Sequence, residues 1–182
     1  MVPGVYADTR YFPEKDAIKM ELRIARQADL LRLLEIYNYE VTHGVATLDI
    51  HPQTMEQRQV WFDAHNVENH PLYVAEQNGV VAGYASLSAY REKEAFASTV
   101  ELSIYVAPEC RRQGVAAALM KFILQKARED ARTHNVVSVI TAGNEASIKL
   151  HERFGFTFCG TVPEVGAKFG RLLDIDHYSL IV

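Results

Sequence analysis

The sequence predicts a mixed α/β domain, with a central sheet of about six to seven strands and about four helices layered on its two faces. Three observations lead there. A short alternating segment, Glu21 to Ala25, is followed at once by apolar residues at helical spacing, Leu30, Leu33, Leu34, Tyr37 and Val41. Two β-rich runs flank Asn78-Gly79, the strongest short hairpin signal. A long β-rich run, "STVELSIYVAP", ends at Pro108 and gives way to a long amphipathic helical stretch.

Each element follows in turn. Residues 1–19 contain two prolines and show no period, so they read as a poorly ordered N-terminal extension. The domain proper then spans 20–182. Leu22 and Ile24 alternate with charged neighbours and give the first strand. "THGVATLDIHPQT" is a loop. Thr54 caps a second helix, with Gln57 as its capping-box partner. That helix is expected to run to about Asn66 with Val60 and Trp61 inward. After the hairpin, "REKEAFAS" is a charged connection. The longest helix is expected over 112–132, its apolar face built from Leu119, Phe122, Ile123 and Ala127. "VVSVITA" is an apolar strand, and "NEASIKLHERFGF" is a short helix stopped by Gly155. "TFCGTVP" and "LLDIDHYSLIV" close the chain as strands. No repeat or interdomain linker interrupts this order.

Bulk properties exclude several classes. The 182 residues suit one domain with a sizeable core. A net charge of −4 gives no global pull toward nucleic acid or anionic membrane. No apolar run approaches the roughly 20 residues that span a bilayer. Charged residues and prolines break up any secretory pattern at the N-terminus. Cys110 and Cys159 have no metal-ligand or CxxC spacing. Two free thiols in a cytoplasmic protein are favoured over a disulfide between them.

The turn between strand and long helix carries the chemistry. Arg111 and Arg112 precede Gln113 and Gly114, and Ala116 and Ala117 follow. A helix start offers unpaired N–H groups and the positive end of the helix dipole. A glycine there lets an anion approach the backbone. Two readings stand: a solvated helix start, or a cradle for a pyrophosphate.

"ELSIYVAPECRRQGVAAALM" resembles the defining motif of the GNAT family of N-acetyltransferases, Q/R-x-x-G-x-G/A at a helix start, matched by Arg111 to Ala116. "NEASIKLHERFGF" is similar to the family's later motif. "TVELSIYV", "ASIKLHERFGF" and "GAKFGRLLDI" resemble the phosphinothricin acetyltransferase branch, and the likeness runs from Met20 to Val182. The resemblance implies a fold with a splayed strand pair that takes acetyl-CoA, a small amine as acetyl acceptor, no metal, and a homodimer. It places Ile104, Tyr105 and Val106 on the pantetheine arm. It places the N–H groups of Arg111, Arg112, Gln113, Gly114, Val115, Ala116 and Ala117 on the pyrophosphate, and Asn144 and Ser147 on the cofactor's far side.

An ammonium has no lone pair, so acetyl transfer needs a group that removes a proton from the amine. Glu101 matches the branch's glutamate and shares a strand face with Ser103, opposite Val100 and Leu102. Its alternative is the polar face of an edge strand. His151 stands where many relatives have an acidic tyrosine and where this branch has histidine. It reads as proton donor, pocket cap or plain core histidine. On the acceptor side the resemblance points to Thr47, Leu48, Arg91 and Lys93. Arg91 and Lys93 also read as a solvated charge run. Leu48, Tyr90 and Leu172 replace residues usual in the branch, so the acceptor need not be phosphinothricin itself. The resemblance gives a small amino-acid-like acceptor. The alternatives are a peptide or protein N-terminus, or a module that binds acyl-CoA without turnover.

Overall fold

The computed structural model describes residues 19–182. Most of the expected N-terminal extension therefore lies outside the described residues. The elements are β1 (Met20–Ile24), α1 (Leu30–His43), α2 (Met55–Asp63), β2 (Leu72–Gln77), β3 (Val80–Ala89), β4 (Thr99–Val106), α3 (Val115–Glu129), β5 (Asn135–Thr141), α4 (Glu145–Arg153), β6 (Thr157–Lys168) and β7 (Arg171–Ile181). Seven strands form one sheet in the order β1-β2-β3-β4-β5-β7-β6. Neighbours pair antiparallel except β4 and β5, which run parallel.

Each sheet face carries its own core. Leu33 and Ile36 of α1 pack with Val74, Val81 and Tyr84 on one face, and Trp61 and Phe62 of α2 close over that cluster. Leu119, Met120, Ile123 and Leu124 of α3 pack with Leu87, Val100, Leu102 and Val136 on the other. The alternation of β4 explains the division, since Val100 and Leu102 point into the second core while Glu101 and Ser103 point away from it.

Four local expectations are corrected. The second helix stops at Asp63, because Asn66 and Glu68 take left-handed backbone conformations that a helix cannot continue through. Its Val60 faces solvent at 73 % exposure, and Arg58 takes the inward position. The long helix begins at Val115 rather than Arg112. Arg112 (φ 61°) and Gly114 (φ 83°) are both left-handed, so helical geometry starts only after them. The penultimate strand continues to Lys168 and turns at Phe169-Gly170, with Lys168 paired to Arg171. Phe169 is not a usual residue for that turn, which hid the hairpin from the sequence. The Asn78-Gly79 hairpin forms as expected, Gln77 opposite Val80.

The β6–β7 hairpin also anchors the loop after α1. Lys168, 3 % exposed, donates through Nζ to the Thr47 carbonyl at 2.8 Å and the Glu40 carbonyl at 3.3 Å. Burial pushes its pKa down, while Asp49 and Glu40 oppose the shift. Thr141 at the end of β5 adds a bond from its hydroxyl to the Val45 carbonyl at 2.6 Å. These ties hold residues 44–49 against the sheet.

Lys168→Met keeps the buried stem and removes the bonds to both carbonyls. We expect a loss of about 1–3 kcal/mol in denaturant unfolding and faster amide exchange confined to residues 44–49. Unaltered exchange in that loop would show that the ammonium does not hold it.

Candidate active site

β4 and β5 pair over only three positions, Thr99 with Asn135, Val100 with Val136 and Glu101 with Val137. Beyond them the strands part. β4 stays bonded to β3 through Val106, and β5 stays bonded to β7 through Thr141. Each strand therefore keeps one bonded edge and one open edge. The Ala107 N–H donates to the Ala82 carbonyl. Antiparallel alternation then turns the Ser103 and Tyr105 amides toward β3, and those of Ile104 and Val106 into the fork. A cavity of about 620 Å³ occupies the fork and passes from one sheet face to the other.

The α3 end of the cavity presents free backbone donors. A short 3₁₀ turn, Pro108–Cys110, and the left-handed Arg112 and Gly114 swing the chain back into α3. The first intrahelical bond runs from the Ala118 N–H to the Gly114 carbonyl. No side chain caps this end. The N–H groups of Val115, Ala116 and Ala117 are left without intrahelical partners. A side chain at Gly114 would find open space but would be strained at its positive φ. Val115 points its side chain into the core, so only its backbone faces the turn. Arg111 lines the cavity, but its guanidinium is paired with Glu40 of α1 and its Nε reaches the Val106 carbonyl at 3.4 Å. It is thus not the uncompensated cation that the sequence suggested. Arg112 and Gln113 are exposed beside the turn.

Glu101 stands at the point where the strands part, on the cavity wall with Ser103. Burial pushes its pKa above the usual 4.5, and the charges of Arg91 and His177 only partly offset this. His151 of α4 lies on the opposite part of the wall with Ser147 and Asn144. The Asn144 side chain caps α4 by accepting from the Ser147 N–H at 3.3 Å. His151 Nδ1 sits 2.8 Å from the Ser147 carbonyl, which only an N–H can satisfy. That bond assigns the ring proton to Nδ1 and leaves Nε2 an acceptor. Burial lowers the pKa of His151 and keeps it neutral. A neutral ring in this tautomer accepts a proton more readily than it gives one.

The other side of the fork is lined by α1, α2 and the 44–53 loop. Thr47 and Leu48 are on its wall. Thr47 bonds the Tyr37 hydroxyl at 2.9 Å, and Asp49 accepts from the same hydroxyl at 2.8 Å. Burial raises the Tyr37 pKa to about 12. Arg91 and Lys93 are exposed and lie off the wall, and the Arg91 guanidinium rests over Tyr90 at 4.9 Å. Leu172, on the β6–β7 hairpin, is also off the wall.

The sequence reading missed Tyr37, Gln53, Arg58, Trp61, Tyr84, Ser86 and Ser138, all of which line the cavity. One signal was available: Arg58, Trp61, Phe62 and His65 share an i, i+3, i+4, i+7 stripe. That phase puts a charge on the inward face of α2. Six buried side-chain polar atoms have no hydrogen-bond partner among the described residues. Four of them, on Gln53, Arg58, Ser86 and Ser138, belong to cavity walls. The unmet hydrogen bonding thus concentrates where a polar ligand would sit.

The chain is similar to known proteins in sequence and fold. Residues 31–156 match the family model described as Acetyltransferase (GNAT) family. An L-methionine sulfoximine/L-methionine sulfone acetyltransferase of Pseudomonas paraeruginosa is 41 % identical over 160 residues, covering 87 % of this chain and 92 % of the relative. The crystal structure of a ribosomal-protein-alanine N-acetyltransferase from Brucella melitensis is 40 % identical with a TM-score of 0.86, covering 89 % of this chain and 99 % of that one. The structure of a GNAT superfamily phosphinothricin acetyltransferase from Sinorhizobium meliloti in complex with acetyl-CoA is 33 % identical with a TM-score of 0.86, covering 90 % of this chain and 88 % of that one. A sheet forked beside a glycine-led helix start, in a chain matched over this much of its length, has one reading: the chain belongs to the GNAT family of acetyltransferases.

Proposed function

We propose that the protein moves an acetyl group from acetyl-CoA to the amino group of a small amino-acid-like substrate, with Glu101 as the general base. The observation that carries this reading is the position of Glu101, at the apex of a fork whose far end meets the unpaired amides of α3.

The residues present fit acetyl-CoA. The amides of Val115 to Ala117 and the open approach over Gly114 suit a pyrophosphate. The Ile104 and Val106 backbone groups suit the amides of a pantetheine arm, with Tyr105 between them. Asn144 and Ser147 line the opposite wall. When bound, the co-substrate supplies an acetyl thioester. The protein's own part is to hold that acyl group in the fork and take a proton from the amine. Glu101, raised by burial, is a better proton acceptor near neutral pH than an ordinary carboxylate. Neutral His151 offers its Nε2 as a second acceptor on the α4 side.

The acceptor enters from the α1–α2 side. Thr47 and Leu48 give that side part of its wall. Arg91, close enough for its charge to act on Glu101, and Lys93 are candidates for contacts at the rim. Two relatives named for small amino-acid analogues favour a small acceptor. The tie from Lys168 to the 44–49 loop, whose Thr47 and Leu48 line the cavity, favours it too. The ribosomal-protein-alanine relative favours a second reading, a peptide N-terminus. A homodimer is supported by β6, a twelve-residue edge strand that leaves Phe158, Val162 and Val165 exposed. Two free cysteines suit the reducing cytoplasm. No described helix is long and apolar enough to cross a membrane.

The deciding assay follows CoA thiol release over amino acids, methionine sulfone and sulfoximine, phosphinothricin and alanine-headed peptides. Release with the amino acids and not the peptides is expected. The reverse pattern would replace the small-acceptor reading, and acetyl-CoA binding without release would remove the catalytic one. Glu101→Gln should lower turnover by about 10²-fold or more with acetyl-CoA binding intact, whereas a variant at full rate would take Glu101 out of the mechanism. A carboxylate whose pKa is raised becomes a base only at higher pH. The acidic limb of kcat/KM should therefore lie above the usual carboxylate value of 4.5 and disappear in Glu101→Gln. A limb at or below that value would contradict the role. Gly114→Val should raise KM for acetyl-CoA at least tenfold, since a β-branched residue resists the left-handed conformation. KM for the amine should change little, and equal losses on both sides would indicate a general folding defect instead.

A further inference from the structure

Arg58 is buried as few arginines are. Its side chain belongs to α2, yet the residue is 1 % exposed. The guanidinium lies over the Trp61 ring at 3.5 Å and faces Tyr37 at 4.7 Å and Tyr84 at 5.2 Å. Nη2 donates to the Tyr84 hydroxyl at 2.6 Å. Nε has no partner among the described residues. No carboxylate among them lies within ion-pair distance of Arg58. Glu40, the carboxylate on the same wall, is held by Arg111, and Asp49 accepts from Tyr37 and Gln53. Burial raises the pKa of Tyr37 and Tyr84, so neither phenol becomes a counter-ion near neutral pH.

A buried guanidinium without an acid is costly to keep. Stacking on Trp61 covers its face and fixes its plane. What remains is the donor edge, and Arg58 is part of the cavity wall. Tyr84 and Ser86 lie on the same face of β3 as Ser88, which is paired with Glu101. Four residues of strand separate the Tyr84 row from the Glu101 row, roughly 13 Å. That span accommodates a bridging water at the base, an α-amino acid, and a bond to the guanidinium. Ser86 Oγ, also without a partner among the described residues, lies between the two rows.

We propose that Arg58 receives the carboxylate of the substrate and thereby makes the enzyme select amino acids over plain amines. The inference rests on the small-acceptor reading above. It assigns the anion-binding role to the inner wall, on a helix that the sequence did not mark for it, and leaves Arg91 at the rim. An arginine edge suits a carboxylate because its planar donors match the two oxygens.

The test compares methionine sulfone with its carboxamide in the thiol-release assay, using the parent enzyme, Arg58→Met and Arg91→Gln. Each ratio of kcat/KM comes from one protein sample, so it does not depend on how much of that sample is folded. The parent should prefer the carboxylate. Arg58→Met should lose about 10- to 100-fold of that preference, the scale of one charged hydrogen-bonded contact, through KM of the carboxylate substrate. KM for acetyl-CoA should stay constant. Where Arg58→Met does not fold, Arg58→Lys keeps the charge without the planar fork and should lose part of the preference. A preference kept in the Arg58 variants, or lost in Arg91→Gln alone, overturns the assignment. A parent that turns over no amino acid overturns the small-acceptor reading first, and Arg58's role with it.

Discussion

The parting of β4 from β5 after Glu101 is the constraint on which the site depends. A parallel pair normally continues its bonds along both strands, and a buried amide left unbonded costs about 1–3 kcal/mol. Here the outer edges of the two strands are fully occupied by β3 and β7, so the inner edges alone can be opened. The sheet remains one body and still contains a slot lined with backbone donors and acceptors. Those groups are in place before any ligand arrives, which lowers the ordering a ligand must impose.

The fork divides the chemistry between two faces. On the α3–α4 face the walls are backbone amides, small side chains and a neutral histidine. They suit a long, flexible molecule with a charged end. On the α1–α2 face the walls are aromatic and carry one buried cation. They suit something short and anionic. Glu101 stands between them, where β4 and β5 part. The same burial that makes Glu101 a stronger proton acceptor makes His151 a weaker one, because burial disfavours the charged form of each.

Ties from distant elements keep the acceptor face in shape. Lys168 of β6 bonds the loop after α1, and Arg111 joins the turn before α3 to Glu40 of the same helix. Helix α1 is therefore linked both to the turn before α3 and to the β6–β7 hairpin. The charge of Arg111 is thereby balanced by Glu40 within the fold.

Much of this was legible in the amino-acid order. Alternation along β4 put Glu101 on the opposite face to Val100 and Leu102. Asn78-Gly79 specified its turn, and the glycine of the turn before α3 was visible, although the helix was expected to begin at Arg112 and begins at Val115. Such features obey rules that act over a few residues, because backbone sterics and side-chain period are local. The fork, the pairing of Arg111 with Glu40, the burial of Arg58 against Tyr84 and the Lys168 tether were not legible. They join residues 71, 26 and 121 positions apart in the last three cases. Local periodicity does not encode which distant side chain meets which; only the packing of two helices and a loop over one sheet face brought those partners together.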